Sequence, residues 1–160
     1  MRYLMMFALA AVLLSGCDDP NRVFEVSKDL PNQVWNKDHM VDFEFDIEDT
    51  VQRYNIIVNV RHTNFYEKSN LWVMVYTTYP DATEQEQRLE LSLADENGEW
   101  FGKCTGDICD IQQFIQQNVM FNQIGTYKLK FEQIMRMDDL KDVLAFGLRV
   151  EKVEEKKSAQ

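Results

Sequence analysis

Apolar and polar residues alternate along most of the chain with period two. Residues 41–47, VDFEFDI, put four apolar side chains on one face and three carboxylates on the other, the pattern of a half-buried strand. Ile56, Val58 and Val60 continue it against Asn55, Asn59 and Arg61. Leu89, Leu91 and Leu93, then Tyr127, Leu129 and Phe131, then Phe146, Leu148 and Val150 repeat it. Residues 71–79, LWVMVYTTY, are apolar on both faces and rich in β-branched and aromatic side chains. That composition predicts a central strand covered on both sides.

Turn signals fall between these runs. Asn97-Gly98 tolerates positive φ and predicts a hairpin joining 89–93 to 100–103, and Pro80-Asp81 ends the central run. One stretch departs from the period: Ile111, Phe114 and Ile115 recur at helical spacing, and Asp110 with Gln113 suits a capping box. The prediction is an all-β antiparallel sandwich, Ig-like or jelly-roll-like, of about seven to nine strands with one short helix.

The first residues are of another kind. Arg2 precedes an unbroken apolar run from Tyr3 to Leu14, too short to cross a bilayer, which takes about 20 residues, and suited to the core of a secretory signal. The run ends in Leu14-Ser15-Gly16-Cys17, which resembles the bacterial lipoprotein box, in which Cys17 takes a diacylglycerol and becomes the first mature residue. We therefore expect a signal peptide over 1–16, a lipidated tether over 17–22, a β-sandwich domain over 23–151 and a polar tail over 152–160. Asp18 and Asp19 read either as a solvated tether or as an acidic surface-export signal.

Composition narrows the function. The 160 residues carry 27 acidic and 17 basic side chains, a net charge of -10, and loss of Arg2 with the signal makes it more negative. Nucleic-acid binding needs clustered Lys and Arg, so it is not expected. Three Cys and two His are too few for a common four-ligand zinc cluster, and no metal or other cofactor is expected. No serine lies in a G-x-S-x-G elbow, and neither His39 nor His62 has a nucleophile motif beside it, so the chain does not read as an enzyme. Cys104 and Cys109, with Gly106 between them, read either as a disulfide closing a tight turn or as two free thiols. Trp35, Trp72 and Trp100 read either as core or as a sugar-stacking platform. Trp35 and Trp100 are the candidate glycan or partner contacts.

Read together, the lipobox, Leu30-Pro31-Asn32 with Trp35, the 41–47 strand, Tyr54-Asn55, Val60-Arg61, Ser69-Asn70-Leu71 and Tyr79-Pro80-Asp81 resemble the gliding-motility lipoprotein GldH family of the Bacteroidota. Leu93-Ala94-Asp95, Trp100, Gly106-Asp107-Ile108, Gly125-Thr126-Tyr127, Glu132-Gln133 and Gly147-Leu148-Arg149-Val150-Glu151 extend the resemblance over nearly the whole mature chain. The resemblance implies a non-enzymatic envelope lipoprotein, lipid-anchored at the outer membrane, whose partners are that membrane and other envelope or gliding-machinery proteins. Only Cys17 carries over as a functional residue. The alternative reading is a surface glycan-binding module for nutrient capture.

Overall fold

The structure, a computed structural model, describes residues 19–154. The signal peptide, Cys17 and the end of the polar tail lie outside the described residues. Eight principal strands build the body: β1 (Arg22–Asp29), β3 (Val41–Ile47), β4 (Arg53–Thr63), β5 (Asn70–Thr78), β6 (Glu84–Ser92), β8 (Ile108–Met120), β9 (Gly125–Gln133) and β11 (Val143–Lys152). Three-residue strands β2 (Val34–Asn36), β7 (Lys103–Thr105) and β10 (Asp139–Lys141) bring the total among the described residues to eleven. The expected seven to nine falls short because strands this brief show no readable alternation.

One sheet runs β1-β11-β4-β8-β7, the other β3-β9-β5-β6, and β10-β2 forms a separate ribbon. Among the principal strands the first pairs antiparallel with the last (β1 with β11), then β3 with β9, β4 with β8 and β5 with β6. This is one long hairpin rolled over on itself, the jelly-roll arrangement. The antiparallel sandwich is therefore as expected, and the pairing decides for jelly roll over Ig-like.

Alternation sets the core. On β3, Val41, Phe43, Phe45 and Ile47 are buried and the three carboxylates between them are exposed. Facing rings interlock: Phe146 of β11 lies 6.5 Å from Phe43 and 4.9 Å from Phe131 of β9 between centroids. The β2–β10 ribbon adds Trp35 and Leu140, both fully buried, to this cluster.

Three local expectations are corrected. Residues 110–115 are not helical; they belong to the 13-residue β8, paired with β4. Asp110, expected as a helix cap, instead accepts two bonds from Arg61 at 2.8 and 3.1 Å. The 111, 114, 115 spacing fits a strand as well, with Ile111 and Ile115 turned inward and Phe114 outward. Non-local pairing overrides the helical preference of the glutamines between them. The one helical element among the described residues is a 3-10 turn at Pro31–Gln33.

Strand β5 is central in its sheet, between β9 and β6, but no second layer covers its outer face. Long neighbouring side chains shield that face instead: the Arg88 guanidinium sits 4.3 Å from the Trp72 ring centroid, and Tyr76 donates to Glu132 at 2.6 Å. The Asn97-Gly98 turn forms as expected, with Gly98 at φ +82°. Its hairpin closes with a single bridge from Ala94 to Trp100, after which the chain leaves for the other sheet as β7. Gly102 makes that departure, lying so close to β8 that any Cβ would collide with the Asp110 carbonyl oxygen.

Candidate functional site

Two regions present chemistry: the N-terminal end of the described body, and the side where the two sheets part. At the N-terminal end Asp19 is not simply solvated. Its carboxylate accepts from Arg149 at 2.9 Å, and the same guanidinium bonds Glu151 at 2.8 Å. The Asn21 carbonyl accepts from the Lys152 amide at 2.7 Å, and the Asn21 side chain donates to Glu154 at 2.9 Å. The segment just after Cys17 is thus fastened to the last strand within two residues of Asp19. The fastening extends the body to Glu154, into the stretch expected as a polar tail. Arg149 is half-buried, which makes its pairs less screened than the surface bridges Lys37–Asp138 and Lys128–Glu44.

The candidate sugar contacts fare differently from one another. Trp35 is fully buried, so it touches neither glycan nor partner; this corrects the expectation. Its ring lies 4.8 Å from Phe146, and its Nε1–H donates to the His39 carbonyl at 2.8 Å. The loop-like sequence around it hides a strand, because β2 and β10 pair across about 100 residues of sequence. Trp100 is half-buried with its ring edge on His62 at 4.4 Å. Trp72 is covered by Arg88. The three indoles have three separate surroundings and share no platform.

Cys104 and Cys109 stand opposite each other in the β7–β8 ladder, 4.0 Å apart at Cα, joined as a disulfide. Gly106 supplies the turn at φ +61°. The bond pins β7 to β8 on a side of the sheet that has no other strand.

Neither histidine has catalytic company. His39 is exposed, while His62 is buried, donates from Nδ1 to the Thr63 carbonyl at 2.7 Å, and leaves Nε2 without a partner between Tyr66 and Trp100. Burial pushes the His62 pKa below its ordinary 6.5 and the Tyr66 pKa well up. The sign for His62 follows directly. Above pH 6.5 the ring is neutral folded or unfolded; as pH falls through 6.5 the unfolded chain takes up a proton that the folded chain resists, so stability drops. Urea midpoints should therefore fall between pH 7.5 and 5.5, and His62→Phe should flatten that part of the slope; an unchanged slope in the variant would refute the assignment. Among the described residues no group of three or more His, Cys, Asp or Glu is placed to hold a metal ion.

Sequence reading missed Gln133. It is buried at the inward phase of β9, where its Nε2 donates to the carbonyls of Met137 and Asp138 at 3.1 Å each, and its Oε1 accepts from the Met135 amide at 3.0 Å. It holds the β9–β10 connection in place. The signal was available: Tyr127, Leu129, Phe131, Gln133 is an inward series that ends in an amide. Arg149, interrupting the apolar run of β11, is a second such signal.

The second region is a cleft of about 300 Å³ where β6 and β8 diverge. Val75, Leu89, Ile115, Val119, Phe121 and Leu129 supply its apolar lining, and Thr77, Tyr79, Gln85, Gln87, Gln116 and Asn122 its polar lining. No carboxylate, histidine, lysine or cysteine lines it. The arrangement suits binding rather than chemistry.

A family model described as GldH lipoprotein matches residues 22–150. The chain is 31% identical to the gliding motility lipoprotein GldH homolog of Christiangramia forsetii, covering 91% of this chain and 93% of that one. It is also 31% identical to the gliding motility lipoprotein GldH of Flavobacterium johnsoniae, covering 89% and 92%. Solved structures are only faintly similar. An infectious bursal disease virus structure (Gx strain) has TM-score 0.34 at 12% identity, covering 86% of this chain and 31% of that one; the Yersinia pseudotuberculosis-derived mitogen has TM-score 0.33 at 6% identity, covering 85% and 92%.

Proposed function

This chain belongs to the GldH lipoprotein family, and from that premise we propose that it is a non-enzymatic component of the gliding-motility apparatus, anchored to the outer membrane through Cys17 and docking envelope proteins through its sandwich. The observation that carries the reading is the family match along 22–150, the whole folded body. What supports it in the site is a body fastened at its N-terminal end by Arg149, and a partly apolar cleft with no carboxylate, histidine or cysteine in its lining.

Several acyl chains on one cysteine give stable anchoring where a single chain holds only marginally. A short tether fastened at Asp19 then limits how the body turns relative to the bilayer, so the same face is offered to a partner each time. The test is chemical cross-linking in intact envelopes followed by purification of this chain. The same envelope proteins should return in independent experiments; none above background would refute the docking function. Protease treatment of intact cells separates a surface from a periplasmic placement.

A further inference from the structure

The sandwich is closed along one side and open along the other. On the closed side the Phe24 ring of β1 packs against Phe43 and Phe45 of β3, at 6.3 and 5.7 Å between centroids, and Lys28 bonds Asp42 at 3.0 Å. On the open side β6 ends one sheet, while β7 covers β8 only from Ile108 to Asp110. Among the described residues no strand pairs with the outer edge of β8 beyond Asp110. Six residues, 112–117, have no partner on that edge; toward β4 the ladder bulges at Ile115, between the Phe114–Ile57 and Gln116–Ile56 pairs, and again before Val119, where Asn118 has a φ of +55°. At the usual rise that is about 20 Å of unpaired strand.

Free edges are normally guarded by charges, proline or bulges. This one has only the bulge at Ile115. Residues 111–120 contain no charged side chain and no proline in a chain that is 28% charged. Phe114 is 48% exposed on its outward face, and Ile115 turns into the adjoining cleft. Backbone donors and acceptors thus run beside a partly apolar slot, which is the geometry that accepts an added strand.

Resting on the docking function above, we propose that the 112–117 edge of β8 with the β6–β8 cleft is a strand-acceptor site for an extended, basic segment of a partner protein. Alternate side chains of that segment enter the cleft beside Ile115 and Leu89, while its backbone completes the β8 ladder. The chain's own ends do not fit. Residues 155–160, EKKSAQ, hold no large apolar side chain. Asp19 lies at Arg149, on the β1 side, with β11 and β4 between β1 and β8. A second copy would bring a like net charge of -10, and Glu84, Glu86 and Glu90, exposed on the face of β6 opposite the cleft-lining Gln85, Gln87 and Leu89, add to the negative field of that edge strand. The same charge favours Lys and Arg in the incoming segment.

The test takes the full lipidated chain in detergent with a synthetic nine-residue peptide, Ile or Val at odd positions and Lys or Thr at even ones. Amide hydrogen exchange at 112–117 should slow by at least about tenfold, leaving the β1 and β6 edges unchanged. Phe114→Lys should abolish that protection without moving the thermal midpoint, since Phe114 is 48% exposed on the outward face and the added ammonium repels the lysines of the peptide. The peptide with Glu in place of Lys should bind at least about tenfold more weakly. Protection on another edge, no protection at millimolar peptide, or equal binding of the acidic peptide overturns the proposal. Slowed exchange at 112–117 that grows with protein concentration alone assigns the edge to a second copy and overturns it too. In cells, a photoreactive residue at Gln112 or Gln116 should form adducts and one at Glu44 should not. Adducts at Glu44 alone overturn this site and leave the docking function standing, whereas no adduct at any of the three counts against that function itself.

Discussion

Trp35→Ala should cost about 3–5 kcal/mol of folding free energy, the range for truncating a buried tryptophan. The indole is fully buried against Phe146 and its N–H is bonded to the His39 carbonyl. Its strand, β2, is three residues long and paired only to the equally short β10. The anchor of that ribbon is therefore the ring rather than the ladder. Removing it opens a cavity beside Phe146 and leaves the His39 carbonyl without the indole donor. Domains of this kind are stable by about 5–15 kcal/mol in all, so the variant should unfold at a much lower urea concentration. Trp100→Ala, half-buried at the edge of the core, should cost clearly less. Equal midpoints for Trp35→Ala and the unaltered protein would mean that the ribbon contributes nothing to the core.

Cys17→Ser should leave an unprocessed or a soluble form in place of the lipidated one. An acyl chain contributes about 0.8 kcal/mol per buried methylene, and a hydroxyl in that position takes none. The described body offers no substitute. The chain's net charge is -10, which anionic head groups repel, and no helix among the described residues is long and apolar enough to cross a bilayer. The buried core lies between Leu30 and Val150, so the urea midpoint of the folded body should not change. Fractionation of envelopes with intact mass measurement reads both halves of the expectation. A processed serine variant that still sediments with membranes would remove the lipid anchor from the proposed function.

The sandwich itself was readable because alternation is a local property. Val41 to Ile47 shows which face is buried without any knowledge of its partner, and the structure keeps that phase at every residue. The helix expected from Asp110 failed for the complementary reason. A period of three and four and a period of two share positions over six residues, and only the presence of β4 alongside decides between them. Trp35 failed likewise, since its burial depends on a strand about 100 residues away. Gln133 and Arg149 were legible as polar interruptions of apolar series, but their partners were not. Sequence spacing tells which side a residue faces and leaves open what stands there.

By itself the sequence determined the all-β class, the inward face of most principal strands, the turn at Asn97-Gly98 and the family to which the chain belongs. Each follows from residues close together or from a linear order of motifs. Tertiary structure alone decided the jelly-roll pairing, the burial of Trp35, the fastening of Asp19 to Arg149 and the unpaired edge of β8. These depend on contacts between segments far apart in the chain, where the free energy is set by register and by which strands are neighbours. A one-dimensional pattern of side chains carries no term for either.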